Sequence, residues 1–424
     1  MERRVVITGI GVVSPIGNNI DDFKANLFAG KSGIDTIKAF ETNGYKASLA
    51  GEVKDFDPLK YMEKSEARKY DKYAQFALAA STQAVEDSKI MQAIEDGTLQ
   101  DKRFGVYVGS GIGGMQTFVE ECTKLIQSGP RRISPFFVPM MIANMASGLI
   151  AIKNHAKGPC LPIVTACATG THSIGEAFNA IKYNQADAII AGGSEAAITE
   201  LSVAGFGNAM ALSPNTDPNT ACRPFDKDRD GFIMGEGSGV LILEEYAHAK
   251  ARNAKIYCEI VGYSNTCDAY HVTAPDPQAL MAAETISQAF KQAGIINDNN
   301  EVVADSDKIY INAHGTSTLL NDKCETMAIK KVLGNEAYNV HISSTKSMTG
   351  HMLGAAGAVE AIVSALALQN KIIPPTINYR TVDPDCDLNY TPNVSIQKDL
   401  TYAASTSLGF GGHNACIVLK AMEE

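Results

Sequence analysis

Apolar residues recur along this chain in two periods. Short aliphatic and β-branched runs at Val5 to Thr8, Phe104 to Val108, Ala188 to Ala191, Val240 to Leu243, Tyr257 to Val261 and Lys308 to Ile311 have the length and composition of buried strands. Between them, Lys72 to Ser88, Ser173 to Tyr183, Ala279 to Ala293, Asp322 to Val332 and Ala355 to Leu368 carry the longer period of helices. That alternation predicts a layered α/β fold. The helical stretch Glu245 to Arg252 gives way to a new strand near Ala254, which divides the chain into 1–253 and 254–424. Each side holds a similar series of elements, as an internal duplication would produce.

Bulk properties narrow the function classes. With 424 residues, 45% hydrophobic and 20% charged, the chain can bury a large core and needs neither disorder nor a membrane. No apolar run predicts a bilayer span, and Met1-Glu2-Arg3-Arg4 leads straight into a strand, so a cytoplasmic protein is expected. Nine scattered cysteines without a Cys-x-x-Cys pair suggest reduced thiols rather than disulfides or structural zinc. A net charge of −10 argues against nucleic-acid binding and requires any acidic partner to dock on a local basic patch.

Gly109-Ser110-Gly111-Ile112-Gly113-Gly114 follows a strand and satisfies G-x-G-x-x-G, but no acidic strand end lies about twenty residues on, as a ribose would need. It reads as a turn allowing close backbone packing.

Chemistry concentrates elsewhere. In Pro162-Ile163-Val164-Thr165-Ala166-Cys167-Ala168-Thr169-Gly170 a β-branched run breaks at a lone cysteine and continues as a helix. A thiol at a strand-to-helix corner faces unpaired N–H groups, which are expected to lower its pKa and to receive an oxyanion. Two histidines follow at element ends, in Asn312-Ala313-His314-Gly315-Thr316-Ser317-Thr318 and in Thr345-Lys346-Ser347-Met348-Thr349-Gly350-His351. Cys167, His314 and His351, with Lys346, form a candidate constellation.

These motifs, with Gly409-Phe410-Gly411-Gly412-His413-Asn414, Arg223-Pro224-Phe225-Asp226-Lys227-Asp228-Arg229-Asp230-Gly231-Phe232 and Gly235-Glu236-Gly237, resemble the β-ketoacyl-acyl-carrier-protein synthases over essentially the whole chain, most of all the elongating enzymes of dissociated fatty acid synthesis. The resemblance implies a thiolase-like fold of two pseudo-symmetric halves stacked α-β-α-β-α, usually a homodimer. It implies that Cys167 carries the acyl group as a thioester, that the N–H groups of Cys167 and Phe410 hold the oxyanion, and that His314 and His351 stabilise the enolate formed when malonyl carrier protein loses carbon dioxide. Lys346 would bias the field at His351, and Glu360 would serve as a supporting or ion-holding carboxylate. Thr273, Thr316 and Thr318 match positions that bond the pantetheine arm, Ile112 a wall of the acyl pocket, and Phe410, flanked by Gly409, a movable gate. No cofactor and no catalytic metal are expected.

Acyl carrier protein is acidic, and two basic clusters match family docking regions. Lys64, Arg68 and Lys69 are spaced to share a helix face, and Arg131 and Arg132 lie in a Gly-Pro turn. Where the family often has a basic residue, Ser213-Pro214-Asn215-Thr216 has none, and Leu408 replaces a common phenylalanine. Several other readings compete. A thiolase would need a second active cysteine, but Cys416 lies inside a strand-like run; an initiating synthase would place Asn at His351; a papain-like hydrolase lacks the paired imidazoles. A polyketide ketosynthase shares the triad, and a non-catalytic chain-length partner would lack the nucleophile.

Overall fold

The structure is a computed structural model that describes residues 3–422. Its principal elements are β1 (Val5–Val13), α1 (Lys72–Ser88), β2 (Phe104–Gly109), α2 (Met145–Lys153), α3 (Thr169–Lys182), β3 (Ala188–Glu195), β4 (Gly237–Glu245), β5 (Cys258–Cys267), α4 (Leu280–Gln292), β6 (Ile309–Asn312), α5 (Leu319–Leu333), β7 (His341–Ser343), α6 (Ala356–Asn370), β8 (Tyr402–Gly409) and β9 (His413–Lys420). Every strand and helix predicted from the two apolar periods is present, but the strand expected just before Cys167 is not.

Among the described residues, nine strands form one sheet in the order β7-β6-β8-β9-β5-β1-β4-β3-β2. Only three residue pairs, Val5 with Ile260, Val6 with Glu259 and Ile7 with Cys258, join β1 to β5. The sheet is therefore two leaves meeting at a narrow seam. In one leaf β2 and β3 run parallel, in the other β7, β6 and β8 do, and in each the last strand returns antiparallel, β4 beside β3 and β9 beside β8.

Helices α3 and α6 lie between the leaves, with α1 and α2 outside one and α4 and α5 outside the other. This is the α-β-α-β-α succession of layers. Burial explains the middle layer: Ala356 to Leu368 of α6 are all buried, and a helix apolar all round must lie inside a core. The stretch Leu353–Asn370 is the one helix among the described residues long and apolar enough to cross a membrane, and it is 89% buried within the protein. Close approach of the two central helices depends on glycine. A Cβ on Gly170 would lie 2.6 Å from the Ala358 nitrogen, and one on Gly357 would lie 2.1 Å from Thr171 Oγ1. A single apolar cluster spans Ile7, Ile174, Leu241, Ile260, Val359 and Ile417, so both leaves share one interior.

Two local expectations need correction. Residues 162–165 form no strand: the segment runs beside β2 only as far as the Leu161 N–H to Val106 carbonyl bond, and Pro162 has no N–H to continue a ladder. The helix carrying the first basic cluster spans only Lys64–Ala67, capped by the Glu63 and Glu66 side chains, so Arg68 and Lys69 follow it rather than share its face.

Candidate active site

Cys167 occupies a single 3-10 turn, Ala166–Ala168, that feeds directly into α3. The turn is tight, with Ala166 at φ 50, a left-handed conformation uncommon without glycine. Thr165 secures it by donating its N–H to Thr169 Oγ1 (2.9 Å) and accepting the Ala168 N–H at its carbonyl (3.1 Å). Gly409, at the end of β8, presses against this turn; a Cβ there would lie 3.0 Å from the Thr165 carbonyl oxygen and 3.4 Å from the Cys167 nitrogen. That contact brings the next N–H, of Phe410, to the sulfur, where it and the N–H of Cys167 itself both hydrogen-bond. Two such amides can receive an oxyanion.

The electrostatics of the thiol differ from the sequence expectation. Cys167 is 9% exposed and packs among Ile198, Phe232 and Leu353. Burial pushes its pKa up to about 11, while the Lys346 charge and the Phe410 N–H pull the other way. Desolvation of the thiolate exceeds the help from the helix start.

His314 follows β6, and its backbone is fixed from below by Glu325 on α5. That buried carboxylate accepts the N–H groups of His314 and Gly315, both at 2.7 Å, and the Thr406 hydroxyl at 2.6 Å. His351 is held by its own backbone, which donates to the Ile233 carbonyl (2.7 Å) and accepts from the Gly235 N–H (2.8 Å). The two rings stand 5.2 Å apart at 88°, and Phe232 lies edge-on to His351 at 5.3 Å. Burial first, and the Lys346 charge second, hold both imidazoles well below their ordinary pKa. Both are neutral N–H donors at physiological pH. Neither ring nitrogen of His351, nor His314 Nδ1, has a protein partner. These nitrogens border the same cavity and can serve there as hydrogen-bond donors or acceptors.

Lys346 is buried and ion-paired with Glu360, itself buried in α6. Burial pushes the Glu360 carboxyl up and the ammonium opposes that shift. Glu360 Oε2 is unpartnered. Among the described residues, no group of three or more His, Cys, Asp or Glu side chains could hold a metal ion.

A cavity of about 340 Å³ joins these parts. Cys167, His314, His351, Gly409 and Phe410 line it together with Thr273, Thr316 and Thr318. The Thr316 and Thr318 hydroxyls bond each other at 2.9 Å. Leu408 also lines the cavity, beside Phe206 and Phe410, whose rings are 6.2 Å apart. Ile112 lies outside it and is 39% exposed. Lys64, Arg68, Lys69, Arg131 and Arg132 are all exposed. Lys69 Nζ sits 5.1 Å from the Phe136 ring centroid, which packs the first basic cluster against the segment that follows Arg131 and Arg132.

Three supporting residues escaped the sequence reading. Besides Glu325, Glu195 at the end of β3 accepts the Ser110 hydroxyl and the N–H groups of Gly111, Ile112 and Gly354, so the glycine-rich turn packs against a carboxylate rather than a phosphate. Arg229, 4% exposed, donates to the Thr318 and Leu319 carbonyls and pairs with Asp383, which fixes the threonine loop. The Arg223 to Phe232 motif contains this residue, but a run of alternating charges gives no hint of which backbone it will clamp.

Comparisons with known proteins agree with this geometry. Residues 2–249 match the family model "Beta-ketoacyl synthase, N-terminal domain" and residues 257–380 match "Beta-ketoacyl synthase, C-terminal domain". The 3-oxoacyl-[acyl-carrier-protein] synthase 2 of Synechocystis sp. is 50% identical over 420 residues, covering 99% of this chain and 98% of its own. That of Staphylococcus aureus is 50% identical over 421 residues, covering 99% of both. Among solved structures, a type II PKS acyl-carrier protein in complex with its ketosynthase bound to the hexaketide superposes with a TM-score of 0.89 at 36% identity over 100% of both chains. A beta-ketoacyl synthase from Burkholderia phymatum gives 0.88 at 31% identity, again over 100% of both chains.

Proposed function

The chain belongs to the β-ketoacyl synthase family, and from that premise and the site geometry we propose that it is an elongating β-ketoacyl-acyl-carrier-protein synthase of fatty acid synthesis working through Cys167. The observation that carries the reading is the pair of neutral imidazoles, 5.2 Å apart, sharing one cavity with a buried thiol and two inward N–H groups.

In the first half-reaction the Cys167 sulfur attacks the thioester carbonyl of an acyl carrier protein. The new S–C bond forms, the negative oxygen sits between the Cys167 and Phe410 amides, and the carrier thiol leaves with the proton. Malonyl carrier protein then enters with its pantetheine arm along Thr273, Thr316 and Thr318. Loss of carbon dioxide leaves an enolate whose oxygen faces His314 and His351. Neutral N–H donors stabilise that charge without protonating the carbanion, as an imidazolium would. Carbon attacks the acyl-enzyme, β-ketoacyl carrier protein is released, and Cys167 takes up a proton. Burial first, and the charge of Lys346 paired with Glu360 second, keep the two histidines neutral.

Carrier protein would land on the face formed by Lys64, Arg68, Lys69, Arg131 and Arg132. A second copy of the chain would cover the edge segment bearing exposed Leu161 and Val164, and the exposed Ile112 would form part of an acyl pocket completed there. Nine free cysteines suit a reducing cytoplasm. A polyketide pathway is the second reading, favoured by the 0.89 superposition, but the higher identity lies with the fatty acid enzymes. A non-catalytic partner subunit does not fit a complete Cys167, His314 and His351 set.

Intact-mass analysis after mixing with acyl carrier protein tests the reading. An acyl adduct is expected in the parent protein and absent in Cys167→Ala. A surviving adduct in that variant rejects Cys167 as the nucleophile.

A further inference from the structure

One buried titratable group plays no part in the chemistry above. His172 lies on α3, five residues after Cys167, and is 7% exposed. Its Nδ1 is 2.7 Å from Thr165 Oγ1. The imidazole therefore ties the first turns of α3 to the residue two before Cys167, with the Cys167 turn enclosed between them. The enclosed turn contains Ala166 at φ 50, a conformation that persists only where its surroundings enforce it. Burial lowers His172 to about 4, so the ring is neutral, with one donor and one acceptor.

The same ring meets His413 edge-on, with centroids 6.2 Å apart at 86°. His413 begins β9 directly after the loop of Gly409 to Gly412, and a Cβ on Gly411 would lie 3.3 Å from its ring. That loop carries Phe410, whose N–H completes the oxyanion site. On its outer side, the Gly411 N–H donates to the Val272 carbonyl at 2.8 Å.

We propose that His172 is a positioning residue that, tied to Thr165 and packed on His413, couples the seat of the Phe410 loop to the orientation of the Cys167 sulfur. Displacement of the loop moves His413, the His172 ring follows, and the Cys167 turn changes its angle of attack. The inference rests on Cys167 being the nucleophile of the proposed reaction.

Carbamidomethylation of Cys167 by iodoacetamide, followed by peptide mapping, reads the sulfur without any carrier protein. His172→Ala is expected to slow labelling of Cys167 about tenfold, in line with the cost of misplacing a reacting atom. Thr165→Val should do the same from the other side of the contact, and it carries the test should His172→Ala fail to fold. His172→Gln, which keeps a donor and an acceptor, should restore most of the rate. His413→Ala should also slow labelling, and the His172→Ala/His413→Ala double variant should be no slower than His172→Ala alone. Labelling of folded His172→Ala or Thr165→Val at the parent rate, or independent effects multiplying in the double variant, would overturn the proposal. A parent protein that labels as described but takes no acyl group from carrier protein would instead reject the proposed reaction.

Discussion

The rings of His314 and His351 meet at 88° with centroids 5.2 Å apart, and both nitrogens of His351 are free of protein partners. Each ring comes from a different loop, one anchored by Glu325 and the other by the Ile233 and Gly235 backbone. The pair is therefore preorganised: no side chain must move to offer two N–H donors to one developing oxygen.

Removing one donor separates the two half-reactions. His314→Ala should still acquire an acyl group at Cys167, because the Cys167 and Phe410 amides are untouched. Carbon dioxide release from malonyl carrier protein should fall by about 10²-fold or more, as for loss of an oxyanion donor elsewhere. Release at the parent rate would take His314 out of the decarboxylation step.

Cys167 provides a pH test. With its pKa at about 11, the thiol is protonated at neutral pH, so the thiolate fraction and the rate of alkylation should rise about tenfold per unit between pH 7 and 9 without levelling off. A plateau near pH 7 would mean that the oxyanion amides and Lys346 outweigh burial.

Lys346 makes two separable contributions. Lys346→Met leaves Glu360 charged and alone in the core, which should cost about 3 kcal/mol of stability and lower the melting temperature. Its charge also depresses both histidines, whose ordinary pKa is 6.5. Without it, imidazolium forms at a higher pH, so the acid limb of the decarboxylation profile should move upward. Lys346→Met/Glu360→Gln should recover stability but not the profile. An unmoved acid limb would show that burial alone keeps the rings neutral.

Much of this architecture was legible in the sequence, and the failures have physical causes. The helix Lys72–Ser88 was read to the residue, because Asp71 caps its start and apolar positions face the sheet along its whole length. The candidate site residues stand out because turns with Gly, Thr and His interrupt otherwise apolar runs. The supports did not stand out. Glu325, inside α5, has the sequence context of an ordinary helix-surface acid, and only the path of the chain turns it toward the His314 loop. The segment before Cys167 misled for the opposite reason: its β-branched residues favour a strand, but Pro162 removes the ladder donor and the chain turns into α3.

Glu325 can be tested directly. Its carboxylate accepts hydrogen bonds from three donors, the His314 and Gly315 N–H groups and the Thr406 hydroxyl. Glu325→Gln places an amide NH₂ against at least one of them and leaves a buried N–H unsatisfied. The expected cost is about 2 kcal/mol in chemical denaturation, with the decarboxylation rate falling further than acylation because the His314 loop is the part released. Equal losses in both half-reactions would show that Glu325 supports the fold in general.

Gly409 bears on the relation between gate and nucleophile most narrowly. Its Cα faces the Thr165 carbonyl and the Cys167 and Ala168 nitrogens at distances that leave a methyl group 3.0 to 3.4 Å from backbone atoms, which cannot yield as a flexible side chain would. Gly409→Ala must therefore push the β8 end away from the Cys167 turn and carry the Phe410 N–H away from the sulfur. Acylation should slow by about tenfold or more, since a well-placed oxyanion donor is worth at least that. Decarboxylation at the His314 and His351 pair should be nearly unaffected. Selective loss of acylation would establish that the close backbone contact, rather than the Phe410 side chain, assembles the oxyanion site; equal acylation in Gly409→Ala and the parent would place that donor elsewhere.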